Sequence, residues 1–278
     1  MGGVPRAGDG ALLHRIVSHM PIALVTGGTA GIGASFARAL AARGYDLVLV
    51  ARNQERLEQT ATELRATGRE VEVLAADLSD RGDVDRVAAR LADSERPIEV
   101  LVNNAGYGLH SKLAAPNIAE HDRALDVMVR APLVLSAASI RVMRRLGRGR
   151  IINVASVAGQ LPMGAYSAIK AWMTTFSESL SNELAGTGVT VTALLPGWVH
   201  TEFHDRANIS KSSIPGWLWL DADDLVAACL RDAERGRAVS IPSGRYKTLS
   251  WLVRHLPRTT VRSAARRINS SRRATLTE

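Results

Sequence analysis

The sequence predicts an α/β fold organised as a doubly wound parallel sheet, and three observations carry that prediction. Six short runs rich in Val, Ile and Leu read as strands buried on both faces. They alternate with stretches of helical periodicity, the pattern of a parallel sheet covered by helices. With 278 residues, 46% of them hydrophobic, the chain can fill one large core without dividing.

The elements follow in order. "IALVTG" (22–27) is an apolar run ending in glycine, and Gly31 to Arg43 has an amphipathic helical pattern. "DLVLVAR" (46–52) is the second strand and "RLEQTATELRAT" (56–67) a charged helix. "VEVLAADL" (71–78), "EVLVNNAG" (99–106), "RIINVASVAG" (150–159) and "VTVTALLPG" (189–197) are four more strands, with helical patterns between them. No linker rich in Pro, Gly or Ser and no internal repeat interrupts 21–244. One domain over 20–244 is expected, with a basic extension at 245–278. Residues 1–19 lack the sustained apolar core of a signal peptide and read as a flexible leader.

Charge is unevenly placed. The chain has 35 Lys and Arg against 27 Asp and Glu, but residues 245–278 hold nine basic residues and one acid. The rest is balanced, so the whole excess belongs to the extension. Basic residues interleaved with Leu249, Trp251, Leu252 and Leu256 suit an anionic membrane surface or an acidic partner, or a solvated helix face. Too few aromatics are arranged for base stacking to suggest nucleic acid. The single cysteine, Cys229, excludes an intrachain disulfide. No apolar run approaches the roughly 20 residues of a membrane span.

"TGGTAGIG" (26–33) joins the first strand to the first helix. Glycines at 27, 31 and 33 permit a tight turn and close approach of backbone to a pyrophosphate, whose charge the helix amides favour. In this Rossmann-like arrangement an acid ending the second strand would bind the adenosine ribose and repel a 2′-phosphate. That position is Ala51, followed by Arg52, whose guanidinium suits a phosphate. NADP(H) is therefore the expected cofactor, and no metal site is expected.

Further motifs occur in sequence: "DL" at 77–78, "NNAG" at 103–106, Ser156, YxxxK at 166–170 and "PGWVHT" at 196–201. Together with the glycine turn they make the chain resemble the short-chain dehydrogenase/reductase superfamily over roughly residues 21–244. The resemblance implies an oxidoreductase acting on a CH–OH group or the corresponding carbonyl. It implies that Thr26, Gly27, Thr29, Gly31, Ile32, Gly33 and Arg52 bind the cofactor. Asp77 would meet its adenine, with Leu78 packed alongside, and Asn103, Ala105 and Gly106 would end the fourth strand against it. Pro196, Gly197, Val199 and Thr201 would hold its nicotinamide end. It implies Tyr166 as proton donor, Lys170 as modifier of the phenol's pKa and ribose anchor, and Ser156 as the group positioning the substrate oxygen.

The chemistry supports those roles. A phenol with a pKa of about 10 is a poor base near neutrality. Residues four apart share a helix face, so a Lys170 ammonium, with an oxidised nicotinamide, is expected to lower the Tyr166 pKa. Two departures from the family pattern stand out. Met128 occupies the place of a common asparagine whose backbone carbonyl serves a proton relay. Pro132, lacking an N–H, would leave that carbonyl free in a regular helix, so a relay surviving with altered efficiency is expected, the alternative being that Met128 is only core and the relay impaired. The "GQLPMGA" run between Ser156 and Tyr166 is also shorter than in many relatives.

Residues 198–220 are expected to cap the substrate. They carry Trp198, Phe203, Ile214, Trp217, Leu218, Trp219 and Leu220, which suit an apolar ligand or dock the cap to the core. His200 and His204 would lie at its rim. With the extension, this part resembles the branch of reductases acting on ketoacyl or similar long-chain lipid substrates. An apolar ketone or 3-oxoacyl substrate is therefore expected, with a steroid or other alcohol dehydrogenase, or a catalytically impaired regulator, as alternatives. A cytoplasmic location, peripheral contact with the inner membrane surface through 245–273 and homo-oligomers complete the expectations.

Overall fold

The computed structural model describes residues 20–109, 111, 113–114, 116–200 and 215–274, with side chains to 266. The strands of the main sheet are β1 (Ile22–Thr26), β2 (Asp46–Ala51), β3 (Val71–Ala75), β4 (Ile98–Asn103), β5 (Gly149–Val154), β6 (Val189–Leu194) and β9 (Val239–Ser240). All pair in parallel, in the order β3-β2-β1-β4-β5-β6-β9. Six of these strands match the predicted runs. The two-residue β9, too short to give a pattern, adds the far edge. A separate pair, β7 (Trp198–Val199) and β8 (Trp219–Leu220), joins the two ends of the cap segment.

The helices are α1 (Gly31–Ala42), α2 (Gln54–Arg65), α3 (Arg81–Ala92), α4 (Ala119–Leu125), α5 (Ala131–Leu146), α6 (Ala165–Glu183), α7 (Ala222–Glu234), α8 (Gly244–His255) and α9 (Arg258–Ala274). Strand alternation divides the core into two layers. Ile22 and Leu24 of β1 join Val84, Leu135 and Ile169 on one face of the sheet. Ala23 and Val25 join Phe36, Leu57 and Leu225 on the other. Phe36 is fully buried, and truncating such a ring costs about 3–5 kcal/mol.

β1 lies between β2 and β4, so the sheet order reverses beside it. In open α/β sheets ligands bind outside the carboxyl ends of the strands at this reversal. Thr26, Arg52, Asp77, Asn103 and Ser156 all end or follow strands on that edge.

Between α4 and α5 the chain widens into one π turn, Asp126–Arg130, and Ala131 N–H bonds the Asp126 carbonyl. The premise of a regular helix at Met128 therefore does not hold. The bonding register shifts by one residue, so the lack of an N–H on Pro132 no longer implies a free Met128 carbonyl. The Met128 side chain itself is fully buried in the core layer that holds Ile22 and Leu24.

Candidate active site

The glycine turn is locked from below by two short polar side chains. Thr26 Oγ1 donates to Val102 O (3.2 Å) and accepts from the N–H groups of Asn104 (2.9 Å) and Ala105 (3.1 Å). Asn104 Nδ2 donates to the carbonyls of Thr26 (3.0 Å) and Gly27 (3.2 Å). Gly33 packs onto this knot so closely that a Cβ there would stand 2.1 Å from Gly27 O and 2.4 Å from Asn104 Nδ2. Gly27 and Gly31 take φ of 66° and 51°, which favour glycine. Ala30 precedes helix α1 and supplies no side-chain cap to its first amides. Thr29 and Ile32 are partly buried within this turn.

This arrangement fits a dinucleotide. Uncapped helix amides beside a turn with no room for side chains suit a pyrophosphate. Arg52 is exposed at the end of β2 and makes no hydrogen bond or ion pair among the described residues. It is therefore available to a phosphate on the adenosine.

Asn103 ends β4 as expected, but its side chain faces inward. Its Nδ2 donates to Ser136 Oγ (3.2 Å) and Asn153 Oδ1 (2.9 Å), and Asn153 Nδ2 donates to Ser177 Oγ (2.9 Å). This buried chain ties β4, β5, α5 and α6 together beneath the site. Asn104, within the same "NNAG", is the residue whose side chain supports the glycine turn, and the sequence reading passed over it.

The Asp77 carboxylate is already engaged. Ser79 N–H (3.0 Å) and Oγ–H (2.7 Å) donate to Oδ1, and Arg123 of α4 pairs with Oδ2. Burial works to raise its pKa, but the Ser79 bonds, with Arg123 and Arg52, outweigh it and hold the carboxyl below its usual range. Arg123 had no signal in "EHDRAL", which reads as ordinary helix surface. Leu78 is buried in the core beside it.

On the other side of the sheet reversal, Ser156, Tyr166 and Lys170 come together. Ser156 follows β5 and caps the Val157–Gln160 turn, its Oγ accepting from Ala158 N–H at 3.1 Å. The short run to Tyr166 closes through two glycines. A Cβ on Gly159 would meet the Lys170–Ala171 backbone at 2.7 Å, and Gly164 enters α6 with φ of 107°. Tyr166 shares a side-chain hydrogen bond with Ser156. Lys170 is 5% exposed, donates from Nζ to Val154 O at 2.7 Å, and lies 5.8 Å from the Tyr166 ring centre.

Burial dominates the ionisation of this pair. It pushes the Tyr166 phenol up, against the Ser156 hydrogen bond, and lowers Lys170 to about 8. In the protein alone burial outweighs the expected depression of the phenol by the ammonium. The reason is geometric, since the ammonium is aimed at the Val154 carbonyl and is itself penalised by burial. Gly106 lies between Lys170 and Met128: a Cβ there would stand 3.8 Å from Nζ and 3.0 Å from Met128 Sδ. Ala105, one residue earlier, packs partly buried against the same core layer.

The cap begins at the Pro196–Gly197 turn, where the Pro196 carbonyl accepts from Val157 N–H at 3.1 Å. Val199 turns into the core, while Trp198 and His200 pack on Trp219 at 6.1 and 4.5 Å between ring centres. Two of the cap tryptophans thus stabilise the cap itself, whereas Trp217 is 62% exposed. Thr201, Phe203, His204 and Ile214 lie outside the described residues. Tyr246 of α8, also missed in sequence, bonds Trp198 N–H and Leu218 O beneath the cap.

A sequence profile described as short chain dehydrogenase matches residues 21–211. A putative ketoacyl reductase of monensin polyketide synthase from Streptomyces virginiae is 36% identical over 232 residues, 82% of this chain and 85% of that protein. A short-chain dehydrogenase from Sphingobium yanoikuyae, solved in complex with NADPH, is 35% identical with a TM-score of 0.77, covering 86% of this chain and 97% of the other. The bulky-bulky ketone specific alcohol dehydrogenase from Comamonas testosteroni is 32% identical with a TM-score of 0.73, covering 87% and 96%.

Proposed function

The chain belongs to the short-chain dehydrogenase family, and from that premise we propose that it is an NADP(H)-dependent oxidoreductase acting on an apolar ketone or 3-oxoacyl substrate. The convergence of Ser156, Tyr166 and buried Lys170 beside the uncapped glycine turn carries this reading. Arg52 and the absence of a carboxylate at Ala51 support NADP(H) over NAD(H). The relatives' activities on ketoacyl and bulky ketone substrates support the substrate class.

When bound, the dinucleotide supplies the hydride for reduction or accepts it for oxidation. The chain's own residues handle the oxygen. The Tyr166 hydroxyl gives its proton to the developing alkoxide, and the Ser156 hydroxyl donates a hydrogen bond to the same oxygen. Lys170 supplies positive charge next to the phenol. Thr26, Gly27, Thr29, Gly31, Ile32 and Gly33 would hold the pyrophosphate side, Arg52 the adenosine phosphate, and Asp77 and Leu78 would lie at the adenine, while the backbone of Asn103, Ala105 and Gly106 would meet the cofactor at the end of β4. Pro196, Gly197 and Val199 would hold the nicotinamide side, where the family resemblance also assigns Thr201.

Helix α8 exposes Leu249, Trp251 and Leu252, and Leu256 just past its end, within a strongly basic segment, which supports peripheral contact with an anionic membrane surface. Among the described residues no helix is long and apolar enough to cross a membrane.

The deciding experiment follows absorbance of NADPH and of NADH with a panel of bulky ketones and 3-oxoacyl thioesters, and of NADP⁺ with secondary alcohols including sterols. NADPH-dependent reduction should fall by about 10²–10⁴-fold in Tyr166→Phe, while nucleotide-dependent fluorescence persists. Nucleotide binding with no turnover on any substrate, unchanged in that variant, would instead identify a cofactor-binding regulator.

A further inference from the structure

The segment after β3, "DLSDRGD" (77–83), holds its own backbone through short polar side chains. Asp77 N–H donates to Asp83 Oδ2 at 2.7 Å, Asp80 N–H to Asp77 O at 2.8 Å, and Asp83 N–H to Asp80 Oδ1 at 2.9 Å. Arg86 of α3 closes the turn by donating to Asp83 Oδ1 at 2.7 Å and to Ala75 O at 2.9 Å. The main chain that carries Asp77 is therefore fixed from within its own loop.

The Asp77 carboxylate is fixed from two directions. Ser79 supplies two donors, its N–H and its hydroxyl, and both go to Oδ1. Bonds to one oxygen act as a pivot and leave the second free to swing. That second oxygen, Oδ2, is held by Arg123, which arrives from α4, 46 residues further along the chain. The two side chains are 44% and 33% exposed, so the ion pair adds little to stability. Its effect on geometry is larger. An ionised carboxylate offers about four lone-pair sites. Ser79 and Arg123 take three, and the one left lies on Oδ2, in a side chain still partly open to solvent.

From this arrangement we infer that Arg123 is a positioning residue for adenine recognition: by pinning Oδ2 it leaves Asp77 a single fixed acceptor, matched to the exocyclic amine of the base. This rests on the reading that the chain binds NADP(H) with Asp77 at the adenine. A base carrying a carbonyl in place of the amine would set an acceptor against the carboxylate. Arg123 also offsets the Asp77 charge near Arg52, but that effect is shared by every dinucleotide with the same phosphates. A loosened α4 would likewise weaken all of them alike. Only the preference for the amine reports the orientation of the carboxylate.

The test titrates NADPH and its hypoxanthine analogue, which has that carbonyl, by nucleotide-dependent fluorescence. The unmodified protein should bind NADPH about tenfold more tightly, far less than a fully buried contact would give, because Asp77 is partly open. In Arg123→Ala the ratio should fall to about twofold, with the loss mainly in NADPH affinity. Arg123→Lys, whose ammonium can supply the single donor, should keep it above about fivefold. Arg123→Met, which retains an apolar stem, repeats the measurement if Arg123→Ala lowers Tm. A ratio unchanged in Arg123→Ala and Arg123→Met overturns the inference, as does a ratio in Arg123→Lys as low as in Arg123→Ala. Equal affinity of the unmodified protein for both nucleotides overturns it as well, while leaving NADP(H) binding in place. If the unmodified protein binds neither nucleotide, the NADP(H) reading itself falls, and this inference with it.

Discussion

At the β1 end of the site, Thr26, Asn104 and Gly33 are held within backbone contact of one another by side chains that end neighbouring strands. At the β6 end, Gly197 and Trp198 are held by the ring and hydroxyl of Tyr246, which arrives from a helix 48 residues after Trp198. The first region has no atoms to spare, and its tolerance is set by backbone geometry. The second is held by the β7–β8 pair together with the Tyr246 side chain, and that ring can swing aside at a cost. Rigidity is thus concentrated where the dinucleotide is proposed to lie, and adjustability on the side proposed for the substrate.

The sharpest way to break this contrast is the same substitution at both ends. In Gly33→Ala the new methyl meets the Gly27 carbonyl, a backbone atom that cannot move without opening the turn. NADPH affinity should fall by more than about a hundredfold, roughly 3 kcal/mol, measured by fluorescence titration. In Gly197→Ala the methyl meets the Tyr246 ring, which can be displaced. NADPH affinity should then change by only a few-fold, while KM for bulky ketones rises. Equal losses of NADPH affinity at the two positions would erase the distinction.

The contrast also explains what could be read from the sequence. The central strands were legible because they bury both faces and are nearly continuous in apolar residues, as in "IALVT", whereas the edge strand β3 is only partly buried. The glycine turn was legible because its geometry admits few residues, and its parts lie within eight positions. Tyr246 was not legible, since nothing in "GRYKTL" marks one tyrosine among basic residues as the partner of an amide 48 positions earlier. Asn104 was passed over because strand alternation that turns Asn103 inward becomes visible only once β4 is seen to end there. The π turn at Met128 escaped because the apolar pattern of "LDVMVRAPLV" continues through it, while the bonding register does not. Local backbone demands leave a motif, and long-range side-chain contacts do not.

A second test sharpens the comparison at the junction of the two regions, where Lys170 sits buried. Burial lowers its pKa from 10.5 to about 8. Between those values the unfolded chain binds more protons than the folded one, so this lysine makes stability rise with pH across that window. Below pH 8 both states are protonated and the cost of burying the ammonium is fully present. Tyr166 works the other way above pH 10, because its phenol is pushed up, so the comparison belongs in a Tyr166→Phe background. Without nucleotide, unfolding free energy measured by denaturant should rise by roughly 2 kcal/mol from pH 8 to 10, and Lys170→Met should lack that rise. Parallel pH profiles with and without Lys170 would mean that the ammonium is solvated, and that this junction is looser than the turn beside it.

The smallest effect is expected where the rigid region reaches solvent. Arg52 is exposed, lies close enough to Asp77 to help hold its carboxyl down, and has no ion-pair partner among the described residues. It contributes nothing to the backbone knot around Thr26, so its removal should leave folding and the turn intact. Its contribution is one charge-assisted contact with the phosphate that distinguishes NADPH from NADH, worth about 1.5–3 kcal/mol when made directly. Solvent exposure and salt reduce that figure, so Arg52→Ala should weaken NADPH binding by about tenfold and leave NADH binding within twofold. The difference should shrink as ionic strength rises, because a screened surface contact is being removed and not a shape. Equal weakening of both dinucleotides would instead make Arg52 part of the turn's framework, and would move the boundary between the rigid and adjustable regions outward to β2.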